Sequence, residues 1–414
     1  MRRILLREYE RSAPVGLAPD EVQGLRRLAP NVRVEPSLSV QGFYELTPES
    51  HVGVVRLGDT IIDIRPKLPL ARFFFVLSYG IDPAVWRPEL VPYDLRDSLL
   101  EAVAPTFRQL VARATRLGLL HGYRTEEEAL SVVRGQIRFC DQMQRRYGQI
   151  LPVELRFDEF TPDVTENRIL LAALHRLSRL PLRSQSVRRG LHEIIAAFHS
   201  VSLLRMGPSD IPAVSFTRLN RHYEPAARLA TFILKCTSLE VGDGRAAGTC
   251  FLVDMNEVFE AFVHRALRES LHLAESEFAR GRRALRLDEA GRVRLVPDLS
   301  WWRAGECVFV GDAKYKRVSA AGIKHPDLYQ LLAYLTAADL SAGMLIYAAG
   351  AGKPVRHRVR HAGKTLIVES LDISRPPEEV LAQIEDLAHA IRALANGPRS
   401  EPQYGLGRCA LQTS

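Results

Sequence analysis

Two short apolar runs in the last third of the chain each adjoin a carboxylate, and this pattern constrains the fold more than any other. Residues 307–311 (Cys-Val-Phe-Val-Gly) have the composition of a buried strand and lead directly into Asp312. Residues 292–296 alternate between basic and apolar side chains shortly before Asp298, which predicts a second strand. Lys314 should share a strand face with Asp312, because side chains alternate along a strand. Both carboxylates are therefore expected at strand ends.

The segment before these strands is predicted to be a helix. Residues 251–273 carry apolar side chains at helical spacing, with Glu257 and Glu260 one turn apart. Either glutamate is a candidate third acidic ligand, and Glu260 is the one expected to face inward. The alternative is that both lie on the solvated surface of the helix.

A second helix is predicted after the strands. It opens at residue 327 and places Gln330 and Tyr334 on one face, four residues apart. Residues 342–347 then have the pattern of a further strand. The order helix, strand, strand, helix, strand predicts a mixed sheet flanked by helices.

The two carboxylates and the lysine together suit metal-dependent hydrolysis of a phosphodiester. Mg²⁺ prefers oxygen ligands, and carboxylates on adjacent strands can supply them. The metal would polarise a phosphate and activate water, while Lys314 would orient that water or neutralise developing charge. Short acidic and basic patterns recur by chance, so this one alone is weak evidence.

The same residues resemble the PD-(D/E)xK nuclease superfamily, in the branch that carries a Gln-x-x-x-Tyr helix. The wider sequence resembles the McrC family, the nuclease subunits of McrBC-type 5-methylcytosine restriction systems. The resemblance runs along most of the chain, through 52–55, 64–67, 157–161, 167–170, 223–225, 254–260, 312–316 and 327–330.

The resemblance implies an Mg²⁺-dependent DNA endonuclease, with Mn²⁺ able to substitute. Its implied metal ligands are Asp298, Asp312, Glu260 and the carbonyl of Ala313. Its implied catalytic residues are Asp298, Asp312, Lys314 and Glu260, supported by Gln330, Tyr334 and Glu257.

The resemblance also implies a partner. Members of that family cut double-stranded DNA when docked on a GTP-hydrolysing AAA+ ring, McrB-like, whose hydrolysis they stimulate. The sequence lacks a G-x-x-x-x-G-K-[ST] loop, so GTP is expected to bind the partner. Two alternatives stay open: a non-catalytic adaptor of the motor with a vestigial nuclease fold, and a stand-alone DNA-repair nuclease.

Charge and composition agree with a DNA-handling protein. The formal net charge is +8, which favours polyanionic partners. Five basic residues near the predicted site are candidate DNA contacts: Arg282, Arg283, Lys316, Arg356 and Arg358. The last two belong to a run in which arginine recurs at every second position, and a solvated edge strand explains that run equally well. Nothing approaches the ~20 apolar residues of a membrane span, so the cytoplasm is expected.

The chain as a whole is predicted to be an α+β multidomain protein. Residues 1–85 read as a β-rich domain that docks the partner, with a hairpin turn at Gly58-Asp59. Residues 86–245 read as mainly helical, apart from an irregular or partly β insert near 123–137. Residues 246–396 form the predicted nuclease domain, and residues 397–414 a mobile tail.

Overall fold

The computed structural model describes most of the chain and has a mixed α/β architecture with several sheets. The described residues are 2–81, 99–239, 248–281, 283–316, 325–348 and 354–397. Contacts divide the chain into two compact units. The first comprises Met1–Leu70 and Ala84–Val253, and the second comprises Ala71–Pro83 and Asp254–Ser414.

The helices and strands of the described residues have the following bounds. The helices are α1 (Pro19–Leu28), α2 (Leu70–Ile81), α3 (Leu99–Ala114), α4 (Phe139–Arg145), α5 (Thr165–Ser178), α6 (Gln185–Ala197), α7 (Glu224–Cys236), α8 (Met255–Leu271), α9 (His325–Ala337) and α10 (Pro377–Ala395). The strands are β1 (Arg2–Arg7), β2 (Val32–Pro36), β3 (Tyr44–Pro48), β4 (His51–Leu57), β5 (Thr60–Arg65), β6 (Gly122–Leu130), β7 (Gln136–Ile137), β8 (Val153–Thr161), β9 (Thr237–Leu239), β10 (Gly248–Asp254), β11 (Phe278–Ala279), β12 (Leu285–Arg286), β13 (Arg294–Leu295), β14 (Leu299–Arg303), β15 (Glu306–Lys314), β16 (Ala342–Tyr347), β17 (Val355–Arg358) and β18 (Thr365–Ser370).

The main sheet of the first unit combines strands from distant parts of the sequence. Its order is β1-β5-β4-β10-β9, with β1 parallel to β5 and β4 antiparallel to β5. The predicted strands near the N-terminus are present, including the hairpin between β4 and β5. However, β9 and β10 come from beyond residue 236, so residues 1–85 do not form this sheet alone.

The first unit also contains the helix α1, which the sequence analysis did not predict. Leu25 of α1 packs in one buried cluster with Val55 and Ile62 of the sheet. The start of α1 carried a readable signal, because Glu21 reaches back and accepts a hydrogen bond from the main-chain N–H of Ala18 at 2.9 Å.

The middle of the first unit is helical, as predicted, apart from one sheet. Helices α3, α5, α6 and α7 pack together. The segment predicted as an irregular or partly β insert contains the nine-residue strand β6, which pairs antiparallel with β8 along its whole length. The acidic run at 126–128 lies within β6 because pairing with β8 outweighs the low strand propensity of glutamate.

The second unit is built on a six-stranded mixed sheet with the order β11-β14-β15-β16-β18-β17. Strand β15 is antiparallel to β14 and parallel to β16. Helix α9 contacts β15, β16 and β18, while α8 and α10 also contact β15. The mixed sheet with flanking helices is confirmed, and β15 is its central, helix-covered strand.

The boundaries of the second unit differ from the predicted domain of 246–396. Strand β10 belongs to the first unit up to Val253, and residues 71–83, which include most of α2, belong to the second. Helix α2 contributes Phe75, whose ring lies 5.4 Å from that of Phe262 on α8. The predicted tail lies outside the described residues from 398 onward. No helix in the described ranges is both long and apolar enough to cross a membrane.

Candidate functional site

The register of β14 and β15 brings two carboxylates together. Leu299 pairs with Gly311 in an antiparallel ladder, so Asp298, one residue before β14, falls opposite Asp312. Asp312 lies within β15 and is fully buried. Asp298 immediately precedes a strand, contrary to the prediction that the 292–296 run would be a strand ending near it. Only Arg294–Leu295 of that run is a strand, paired with β12 in a separate small sheet.

Lys314 and the main chain of β15 hold Asp298 in this position. The Nζ atom of Lys314 is 3.6 Å from Oδ2 of Asp298 and in close contact with Oδ2 of Asp312. The main-chain N–H of Ala313 donates to Oδ2 of Asp298 at 3.3 Å. The structure therefore brings together Asp298, Asp312 and Lys314, as the sequence predicted.

The surroundings of Asp312 disfavour the ionised form of its carboxylate. Burial and the neighbouring Asp298 raise its pKa well above its usual range, although Lys314 opposes the shift. Oδ2 of Asp312 lies against Nζ of Lys314, whereas Oδ1 accepts no hydrogen bond from the described residues. A buried carboxylate oxygen without a hydrogen bond is unfavourable, so the Oδ1 side of Asp312 suits a further positive ion.

Glu260 of α8 is electrostatically linked to the same site. Burial raises the pKa of Glu260 to about 7, and Asp298 adds to the rise, while Arg280 opposes it from 3.3 Å. Glu257 is exposed on the surface of α8. Of the two glutamates, the structure therefore places Glu260 near the carboxylate pair.

The acidic side chains do not form a closed ligand set. Among the described residues, no group of three or more His, Cys, Asp or Glu side chains is arranged to hold a metal ion. Glu260 faces Arg280, and Lys314 lies against the aspartates. Each acidic group of the site is thus paired with a basic side chain.

Gln330 and Tyr334 of α9 form a hydrogen-bonded chain that reaches the segment just before Asp298. The Gln330 side-chain amide donates to the Tyr334 hydroxyl at 2.7 Å, which in turn donates to the carbonyl of Val296 at 3.1 Å. Burial and the nearby Asp312 raise the pKa of Tyr334 to about 12, so the phenol keeps its proton. These two residues therefore position the segment that carries Asp298.

The predicted DNA contacts lie in different places. Lys316 is two residues beyond Lys314 and 3.4 Å from Asp327. The guanidinium of Arg283 lies 5.0 Å from the centre of a ring of Trp302. Arg282 lies outside the described residues. Arg356 and Arg358 are exposed on the edge strand β17, which β16 and β18 separate from β15.

One buried pair was missed in the sequence. Asp327, in the first turn of α9, accepts a hydrogen bond from the Tyr347 hydroxyl at 2.7 Å. Tyr347 pairs with Lys314 across β15 and β16, so this pair adjoins the site. The sequence shows an acidic residue at the start of the predicted helix, but only the register of β15 and β16 shows that Asp327 faces Tyr347.

The comparisons with known proteins give a consistent result. The family model of the McrBC 5-methylcytosine restriction system component matches residues 46–348, well over half of the chain. This chain belongs to that family. No curated protein matches the McrBC component described here.

Two of the solved structures that are similar to this McrBC component come from Thermococcus gammatolerans. One is a refined half-complex from the tetradecameric assembly of McrB AAA+ hexamers with bound McrC; at 17% identity and a TM-score of 0.57, the match covers 94% of this chain and 100% of that one. The other is a cryo-EM structure of the McrBC complex, at 20% identity and a TM-score of 0.42, covering 65% and 88%. The first likeness shows a shared fold, and with the family match it supports a McrC-like component.

Proposed function

We propose that this McrBC component is an Mg²⁺-dependent DNA endonuclease of a modification-dependent restriction system. The observation that carries the proposal is the buried Asp312 carboxylate, opposite Asp298 and beside Lys314. The match to the family of McrBC 5-methylcytosine restriction system components supports a role in a restriction system. Such a system would act in the cytoplasm against phage DNA.

The residues present fit a divalent metal ion. Asp298, Asp312, Glu260 and the carbonyl of Ala313 would hold it, because carboxylate and carbonyl oxygens are the ligands that Mg²⁺ prefers. The structural basis for this fit is the buried Oδ1 atom of Asp312, which accepts no hydrogen bond from the described residues. When bound, Mg²⁺ or Mn²⁺ supplies Lewis-acid polarisation of the phosphate and lowers the pKa of bound water.

The protein's own residues would then orient and stabilise the reacting groups. Lys314 keeps its proton because Asp312 and Asp298 raise its pKa despite burial, so it can donate to the attacking water or to the phosphate oxygens. Gln330 and Tyr334 would keep Asp298 in register through the carbonyl of Val296. Lys316 would contact the DNA backbone beyond Lys314.

The proposal includes a partner. The half-complex with a similar fold contains McrB AAA+ hexamers with bound McrC, which supports docking of this chain on a McrB-like ring. The ring would bind and hydrolyse GTP, and this chain would stimulate that hydrolysis. Double-stranded DNA would be cut only in the assembled complex.

Two substitutions test the site assignment. Asp312→Ala and Lys314→Ala should each lower DNA cutting at least about a hundredfold in the presence of the partner, because the first would remove a metal ligand and the second the donor to the attacking water or the phosphate. Partner binding and stimulated GTP hydrolysis should stay unchanged. Glu385→Ala, which removes an exposed carboxylate of α10, is the matched control and should cut normally. Wild-type cutting by either site variant would show that the site is wrongly assigned.

The adaptor alternative has one observation in its favour, since no three acidic side chains are arranged around a metal within the described ranges. Calorimetric titration with Mn²⁺, with a short DNA duplex present, separates the two functions. An endonuclease should bind Mn²⁺ in the wild type and lose that binding in Asp312→Ala. Equal or absent binding in both proteins would favour a non-catalytic adaptor of the ring.

A further inference from the structure

Arg280 lies beside Glu260 and forms an ion pair with its carboxylate. Its Nη2 atom is 3.3 Å from Oε2 of Glu260 and donates to the main-chain carbonyl of Glu257 at 3.2 Å. Arg280 follows the edge strand β11, and about a third of its side chain is exposed (35%). One side of the guanidinium therefore faces α8, while the rest is accessible to solvent.

The acidic side chains of the site outnumber its basic side chains. Three carboxylates, Glu260, Asp298 and Asp312, face two cations, Lys314 and Arg280. Lys314 forms ion pairs with the two aspartates, whereas Arg280 forms an ion pair with Glu260. In this arrangement Arg280 is the counter-ion of Glu260.

A divalent cation and Arg280 would compete for Glu260. Both are positive, and Mg²⁺ tolerates little deviation from ideal ligand geometry. A guanidinium stays charged at any physiological pH, so displacing Arg280 leaves a cation that needs a new anion. The phosphates of bound DNA are such anions, and guanidinium groups bind phosphate with two parallel hydrogen bonds.

We propose that Arg280 is the counter-ion of Glu260 in the free protein and a phosphate ligand when DNA is bound, so that DNA and divalent metal bind with positive coupling. This inference rests on the proposed function, because it assumes a metal at Asp298 and Asp312. The coupling acts in both directions: DNA strengthens metal binding, and metal strengthens DNA binding. The site would then be completed only on DNA.

The test is calorimetric titration with Mn²⁺, without and with a short DNA duplex, on the full chain without its partner. In the wild type, DNA should raise the Mn²⁺ affinity by about fivefold or more. Without DNA, Arg280→Gln should bind Mn²⁺ as tightly as the wild type does with DNA. Adding DNA should then raise the Mn²⁺ affinity of this variant by less than about twofold.

Two further variants sharpen the test. Arg375→Gln is the matched control, because Arg375 pairs with Asp372 at 3.2 Å on an exposed part of the same unit. It should keep the full effect of DNA. Arg280→Lys keeps the positive charge but makes fewer contacts with Glu260 and the Glu257 carbonyl. DNA should therefore still raise its Mn²⁺ affinity, and its Mn²⁺ affinity without DNA should lie between those of the wild type and Arg280→Gln. It also serves if Arg280→Gln fails to fold.

The outcomes separate this inference from the proposed function. Mn²⁺ binding that depends on Asp312 but is the same in Arg280→Gln and wild type, with and without DNA, would overturn the role of Arg280 alone. Weaker binding by Arg280→Gln in both conditions would also overturn it, because Arg280 would then support the site. If the wild type shows no binding that Asp312→Ala removes, the metal site itself is wrong.

Discussion

At the residue scale, the site shows how burial and like charge act together on one carboxylate. Glu260 is only 22% exposed and lies near Asp298, and both effects disfavour its ionised form. Arg280 opposes them only in part, because the pKa of Glu260 remains raised. The folded protein therefore holds Glu260 at a cost in stability near neutral pH.

Replacing Glu260 by glutamine should stabilise the metal-free protein at high pH. The folded pKa of about 7 exceeds the unfolded value of 4.5, so the cost begins as pH rises above 4.5 and is complete above 7. We expect Glu260→Gln to raise the free energy of unfolding by about 1 kcal/mol at pH 8. This is less than the full pKa shift corresponds to, because the side chain is partly exposed and solvent screens its charge. Urea denaturation should show no difference at pH 4.

The control for this prediction is Glu257→Gln on the same helix. Glu257 is exposed, and Arg280 contacts only its main-chain carbonyl, so the substitution should leave the free energy of unfolding unchanged at either pH. A gain in Glu260→Gln of equal size at pH 4 and pH 8 would contradict the electrostatic explanation.

The Tyr334 hydroxyl should matter more for cutting than for stability. Tyr334→Phe removes both hydrogen bonds of the chain from Gln330 to Val296 and should cost about 1 kcal/mol of stability. Because Asp298 follows Val296 closely, we expect DNA cutting to fall about tenfold with the partner present, through misplacement of that carboxylate. Tyr329→Phe, in the same helix but 66% exposed, should change neither quantity. Unchanged cutting by Tyr334→Phe would show that Asp298 needs no such support.

At the element scale, two strand pairings determine the architecture. The antiparallel ladder of β14 and β15 sets the carboxylates opposite each other. In the first unit, β4 and β10 are neighbours although they are far apart in the sequence. Their close approach depends on Gly53, which has φ +140°, and a Cβ atom there would lie 2.0 Å from the carbonyl oxygen of Phe251.

Alanine at Gly53 should therefore weaken the main sheet of the first unit. The substitution forces β10 away from β4 and strains the backbone, so Gly53→Ala should lower the free energy of unfolding by about 3 kcal/mol or more. Thermal denaturation followed by circular dichroism measures the loss. Gly16→Ala is the control, since a Cβ there meets only ring atoms of Phe43, the nearest at 3.4 Å. Equal stability of the two variants would contradict the pairing.

At the scale of the whole molecule, both compact units are discontinuous in sequence. The first takes β9 and β10 from beyond the helical region, and the second takes residues 71–83 from near the N-terminus. Phe73 and Phe75 of α2 are fully buried, and Phe75 packs on Phe262. A cut at residue 85 or 245 would therefore remove core elements from a unit.

A fragment of residues 246–414 should not fold stably by itself. Without α2 it exposes Phe262, and loss of such aromatic packing costs about 3–5 kcal/mol per large side chain. Urea denaturation should show no cooperative transition. Fusing residues 70–83 to the fragment through a flexible linker should restore one. Cooperative unfolding of the unfused fragment would show that α2 is dispensable.

The sequence by itself determined the local features of this protein. The short apolar runs of β4 and β5, the turn at Gly58-Asp59 and the helical spacing of α8 are all short-range patterns. The residues of the site could also be named, because Asp312 and Lys314 lie two positions apart on one strand. Their proposed roles await the experiments above.

Only the tertiary structure decided what each residue faces. That Glu260 rather than Glu257 lies near Asp298, that Arg280 pairs with it and that Tyr334 reaches Val296 all depend on contacts between separate elements. The same holds for β10 beside β4 and for α2 in the second unit. Periodicity fixes which side of a strand or helix is buried, but it carries no information about which distant segment covers that side.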